Sequence, residues 1–413
     1  MRALFSGVTG IRTHQVRMDV IGNNIANVNT TGFKASRVTF GDVLSQTMSI
    51  GSAISSPQQV GLGVGVASTD LMTGDGSLQM TGRALDLAVE GAGMFVVKNQ
   101  SNGTNLYTRA GNFDWDSGGY LVVPGNGERV QGWVPDATGK ITNTDVGALS
   151  DIQLIRGSVS LAKPTTAVKL SGNLDAGAAD QSTYDSSFTA FDSLGRAWTI
   201  PVRFTRTGSL SPSTWTWSYL DPSVTSWDSA KPGGSFSFNN DGTQQADATP
   251  FNTLTLTVPG ADPITVDVNT IAVTQGFANT GGSNIMVQKS NGTRMGTLES
   301  VSIDDTGAVQ GVYSNGDRRV LAQVALATFP NEGGLLKAGA STFSATASSG
   351  SPEVGTPNTG GRGRLLPDNL EMSNVDLATE FTNMILTQRG FQANTRVITT
   401  ADQMLEDVVN LRR

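Results

Sequence analysis

The chain has 413 residues, a net charge of −7 and a pI near 4.8, with no basic run of the kind that displaces counterions from phosphates, so nucleic acid is not expected as a partner. No apolar stretch is long enough for a membrane-spanning helix, and the absence of cysteine rules out disulfides, thiolate catalysis and cysteine–zinc sites. The length predicts two or three domains, and 49 glycines beside abundant Ser and Thr suit short strands and tight turns.

The first thirty residues carry a seven-residue apolar repeat, Leu4, Ile11, Met18 and Ile25. The spacing predicts a coiled-coil type of helix, roughly 40 Å long at 1.5 Å per residue. The start lacks the continuous apolar segment of a secretory signal peptide. Its end, IGNNIANVNTTGFK, crowds Asn23, Asn24, Asn27 and Asn29 before Thr30-Thr31-Gly32, although asparagine is an indifferent helix former. We expect the helix to break at Gly32 and the four amides to form a neutral hydrogen-bonding junction there.

Residues 45–65 are Gly-, Ser- and Pro-rich without hydrophobic periodicity and read as a linker. LDLAVEGAGMFVV (85–97), YTRAGNFDWDSGGYLVV (107–123) and VSIDDTGAVQGVY (301–313) read as strands around Gly-rich turns. The last two repeat one scheme, strand, aspartate turn, strand, so residues 72–156 and 293–350 are predicted to build one discontinuous β domain. Residues 157–292 hold Trp198, Trp215, Trp217 and Trp227 with alternating runs such as WTIPVRFT and TLTLTV. They are predicted to form a second β domain inserted into the first. Residues 341–363 mirror the first linker in composition.

The C-terminal forty residues repeat the apolar spacing in Leu377, Met384, Phe391, Ile398 and Leu405. Residues 1–34 sum to +3 and residues 370–413 to −2, so the two terminal helices are expected to pack on each other. Gln388, Gln392 and Asn394 are expected to supply amides matching the asparagine cluster. The fold class is therefore mainly β with terminal α-helices. Its parts are a helical assembly domain (1–32 plus 370–413), linkers (33–71 plus 351–369), and the two β domains.

No catalytic, cofactor or metal constellation emerges. Asp114-Trp-Asp116-Ser-Gly118 starts like a calcium loop, but its twelfth position is Gly125 instead of Glu. Gly61-Leu-Gly-Val-Gly-Val lacks the strand and capped helix of a phosphate loop. Asp185 and Asp192 are the one carboxylate pair to test as a glycosidase site. The tryptophans allow a sugar platform or, more ordinarily, a core.

NNIANVNTTGFK, LDLAVEGAGMFVV, YTRAGNFDWDSGGYLVVPGNGERVQGW (107–133) and LEMSNVDLATEFTNMILTQRGFQANTRVITTADQMLEDVVNLR (370–412) resemble, in the same order, the bacterial flagellar rod and hook axial proteins. Rod members of that family are shorter, and FTAFDSLGRAWTIPVRF (188–204) is similar to the outer domain of hook proteins. The resemblance implies a non-enzymatic homopolymer, a curved hollow tube that joins rod to filament and transmits torque as a flexible joint. It implies a location outside the cell envelope, type III export without a cleaved signal, and no cofactor or small-molecule substrate. Its partners would be the distal rod, hook cap and hook–filament junction proteins and the export apparatus. A distal rod protein, a surface adhesin and a polysaccharide-processing enzyme are the alternatives.

Overall fold

The computed structural model describes residues 2–49, 58–136, 139–155, 157–208, 214–239, 241–245, 251–274 and 282–410. Two compact units divide it: residues 1–156, 301–311 and 319–413 form one, and residues 157–300 and 312–318 the other.

In the first unit, helix α1 spans Arg2–Ala26 and helix α2 spans Leu377–Asn410. Asp376 caps α2: its carboxylate accepts the Ala378 N–H at 3.0 Å and the Thr379 hydroxyl at 2.7 Å. The residues just before it are not helical. Asn369–Glu371 is a strand paired with Leu78–Met80, so the helical segment starts at 377 and not at 370. Likewise α1 stops at Ala26, six residues before Gly32.

Residues expected to be linkers pair instead. Ser36–Asp42 runs antiparallel to Val64–Leu71, and Ser45–Ser49 to Gln58–Gly61, making a hairpin; residues 50–57 of the expected linker lie outside the described residues. The Gly61-Leu-Gly-Val-Gly-Val stretch is part of this hairpin. Glu353–Gly355 pairs with Leu326–Thr328 and Arg364–Pro367 with Leu87–Glu90. Low hydrophobicity failed as a linker signal because ladder hydrogen bonds are made by the backbone, whatever the side chains.

The β body of this unit is antiparallel. Met94–Lys98 lies between Arg129–Trp133 and Asn105–Thr108, and the latter pairs with Thr342–Ser344. Phe95 and Val97 enter one apolar cluster, and Met94 and Val96 another. Alternate side chains point to opposite faces, so a strand buried on both faces reads as the unbroken apolar run seen in the sequence. The Asp116-Ser-Gly-Gly segment is a hairpin turn, with the Asp116 carboxylate accepting the Tyr120 N–H at 2.7 Å.

The second unit has two four-stranded sheets sharing one core. One orders Phe251–Leu256, Ile264–Thr274, Ala167–Asn173 and Asn284–Ser290; the other runs Thr183–Phe191, Ala197–Thr207, Thr214–Tyr219 and Lys231–Ser237. Trp215 and Trp217 are buried in that core with Phe188, Ile200 and Phe204, which accounts for the alternating WTIPVRFT pattern. Trp227 stacks under the Arg203 guanidinium, 4.0 Å from the ring centroid. These tryptophans pack; they do not form an open platform.

Candidate functional site

α1 and α2 pack antiparallel, in steps from Ile398 beside Gly7, through Asn394 beside Gly10, to Gly390 beside His14. The buried stripe of α1 is Gly7, Gly10, Thr13, Ile21 and Asn24. A Cβ added at Gly10 would lie 2.7 Å from Asn394, and one at Gly390 would lie 2.5 Å from the His14 ring. Glycine thus sets the approach of the helices. The opposite net charges do not: among the described residues no ion pair joins α1 to α2, and the polar contacts between them include Arg17 Nη2 donating to Asn383 Oδ1 at 3.4 Å and Asn24 with the Glu380 carboxyl.

The seven-residue repeat flanks this seam. Leu4, Ile11, Met18, Ile25, Met384, Phe391 and Ile398 are half-buried, and Leu377 and Leu405 are exposed. Much apolar surface has no cover within the chain. Phe5 on α1 and Phe381, Ile385, Leu386, Met404, Val408 and Val409 on α2 are all at least half exposed.

α1 also rests on the hairpin. The His14 and Phe40 rings meet edge to face at 5.3 Å, and the Thr13 hydroxyl donates to the Val64 carbonyl at 3.4 Å. Burial, with Arg17 nearby, pushes the His14 imidazole below its ordinary pKa, and its Nδ1 has no partner.

The asparagines divide into two jobs. Asn24 is buried, and its amide makes two bonds to one residue: Nδ2 donates to the Ser36 carbonyl at 2.9 Å, and Oδ1 accepts the Ser36 N–H at 3.0 Å. The side chain imitates a neighbouring strand and ties α1 to the start of the hairpin. Asn27 ends the helix, its Nδ2 donating to the Asn23 carbonyl at 3.0 Å and to Asn23 Oδ1 at 2.7 Å, so a terminal carbonyl is satisfied. Asn23 and Asn29 are exposed. The expected matching amides are elsewhere: Gln388 and Gln392 are exposed, and Asn394 lies against Gly10. Antiparallel packing carries that part of α2 toward the start of α1, away from the cluster. Gly32, instead of capping α1, has a φ of 64° and presses on the Ala110 backbone, where an added Cβ would sit 2.3 Å from the amide nitrogen.

Beside Gly32 lies a buried charge cluster that composition gave no sign of. Lys34 Nζ and Glu371 Oε1 are 2.7 Å apart, both side chains 1% exposed, and Arg109 Nη1 is 3.2 Å from Glu371 Oε2. Glu371 also accepts the Gly76 N–H at 2.9 Å, and Arg109 reaches Asp75 at 3.3 Å and the Gly91 carbonyl at 2.7 Å. Burial pulls the Lys34 ammonium below its ordinary pKa, against the opposing attraction of Glu371. Asn374 completes the junction, accepting the Ala35 N–H at 2.8 Å and donating to the Met72 and Gly74 carbonyls at 2.8 and 3.0 Å. Lys34, Arg109 and Glu371 come from TTGFK, YTRAG and LEMSN, so three distant segments converge here.

The carboxylate pair in the second unit has no acid–base poise. Two hydrogen bonds from Arg203, each 2.7 Å, hold the Asp185 carboxyl below its usual range. Burial pushes Asp192 upward, but hydrogen bonds from Trp198 and Arg196 outweigh it and leave the pKa lowered. Among the described residues no group of three or more His, Asp or Glu is placed to hold a metal ion.

A two-helix layer with open apolar stripes, clamped to a β body, is the build of a structural protein, and the family comparisons place it among the axial proteins of the flagellum. Residues 4–34 match the family described as flagella basal body rod protein, residues 88–168 the flagellar hook protein FlgE/F/G D1 domain, and residues 367–411 the flagellar basal body rod FlgEFG protein C-terminal family. The flagellar hook protein FlgE of Borreliella burgdorferi is 39% identical over 100% of both chains, and that of Escherichia coli is 37% identical over 99% of this chain and 100% of its own. The chain belongs to the flagellar hook protein FlgE family. The flagellar basal-body rod protein FlgG of Bacillus subtilis also aligns over 100% of both chains, at 29% identity. Similarity therefore favours hook over rod.

Proposed function

We propose that this chain is the hook subunit, a structural protein that polymerises into a curved hollow tube and transmits torque as a flexible joint between rod and filament. The observation that carries this reading is the apolar surface left open on α1 and α2, from Phe5 to Val409. At about 25 cal/mol per Å², a few side chains buried against each neighbour suffice to drive association. Catalysis is not part of the proposal, since Asp185 and Asp192 are both committed to salt bridges. Outside the cell envelope the polymer would meet the distal rod, hook cap and hook–filament junction proteins, having left through the type III apparatus. The asparagine turn, with Asn24 at its centre, would hold the helical layer on the hairpin, and residues 157–292 would form an outer domain that tunes bending.

Electron microscopy of the full chain concentrated by salting out tests the reading. Curved hollow tubes of uniform diameter are the expected result. Straight, rigid tubes would move the assignment to a rod protein, and monomers at every salt concentration would overturn it.

A further inference from the structure

The two helices are unequal. Contacts step from Gly10 with Asn394 to Gly7 with Ile398, α1 begins at Arg2, and α2 continues to Asn410. Residues 404–410 therefore run past the described start of α1. In this overhang Met404, Leu405, Val408 and Val409 are 58%, 41%, 63% and 69% exposed and form one apolar stripe, bordered by the exposed acids Asp402 and Glu406.

A complementary patch lies on α1. Phe5, Val8, Arg12 and Val16 follow helical spacing on the side away from the Gly7–Gly10–Thr13 seam, and all four are exposed. Among the described residues, neither Arg12 nor Asp402 nor Glu406 has an ion-pair partner in the chain. One patch is apolar with an acidic border, and the other is apolar around a single cation.

We propose that the overhang of one copy docks on the Phe5–Val8–Arg12–Val16 face of a second copy, with Asp402 and Glu406 facing Arg12. Because the two patches differ, a contact that uses one patch of each copy is head to tail, and the docked pair still offers one free patch of each kind. Such a contact propagates instead of closing as a dimer. The inference rests on the hook-subunit reading and names which surfaces meet within that polymer.

Charge exchange tests it. Two full-length variants are made, Arg12→Glu and the double substitution Asp402→Lys with Glu406→Lys, each checked for unchanged helix content by circular dichroism. Each alone should raise the critical concentration for assembly about tenfold or more, since each now opposes like charges. An equimolar mixture should assemble near the wild-type concentration, because each variant's overhang then meets the other's α1 face with opposite charge. Variants that assemble like wild type, or a mixture that fails to recover, would overturn the docking while leaving the polymer reading intact. Failure of the wild-type chain to polymerise in the same buffers would remove both.

Discussion

Glu371 holds two cations and a backbone N–H at a site closed to solvent. Replacing it by Gln removes the charge that compensates Lys34 and Arg109 and leaves both buried. Breaking a buried pair from one side typically costs about 3–5 kcal/mol, much more than the surface pairs of this chain contribute. Chemical denaturation of Glu371→Gln should therefore show the first unit unfolding at clearly lower denaturant, with the second unit unchanged. A loss under about 1 kcal/mol would mean that the cluster is not closed to water. Asn24 works at the same scale by different means, satisfying a donor and an acceptor of Ser36 without introducing charge.

Between the helices, the seam sets the sign of glycine substitutions. In an exposed helix, Gly→Ala gains about 1 kcal/mol from propensity, and Gly22, with nothing within 4 Å of an added Cβ, should show that gain. At Gly390 the new methyl meets the His14 ring at 2.5 Å, and overpacking of about 1–3 kcal/mol outweighs the gain. Thermal melts followed by helical circular dichroism should place Gly22→Ala above wild type and Gly390→Ala below it. If both rise, the helices do not meet as closely as described. The hairpin adds a second support to α1 through Phe40 and Val64, so the helix has partners on two sides and still shows Phe5 to solvent.

At the level of the whole molecule, the apolar clusters are separate by residue. Every member of the second unit's core lies between Val168 and Ile285, and none of the body's two clusters draws on those residues. Deleting residues 157–292 removes one core entirely and leaves the helices, hairpin and body clusters whole. The truncated chain should fold and polymerise, and its tubes should differ from wild type in curvature or stiffness under electron microscopy. Loss of all polymer would show that residues 157–292 are needed for assembly itself.

The terminal helices and the β character between them were legible in the sequence because local periodicity and turn chemistry report them directly, and the family was legible from the resemblance of motifs such as NNIANVNTTGFK. The repeat from Leu4 to Ile25 marks a helix, alternation in WTIPVRFT marks a half-buried strand, and Asp-Ser-Gly-Gly marks a turn. Tertiary structure decided what touches what. The seam formed on Gly7, Gly10 and Gly390 because close approach favours the smallest residues, while the larger apolar residues were left half-buried or exposed. Segments that read as linkers became strands because pairing partners supplied the backbone bonds, near in sequence for Ser36–Asp42 with Val64–Leu71 and more than two hundred residues away for Arg364–Pro367 with Leu87–Glu90. Lys34, Arg109 and Glu371 each look like surface charges in isolation. Only the fold brings three distant segments together so that each charge is buried against its opposite.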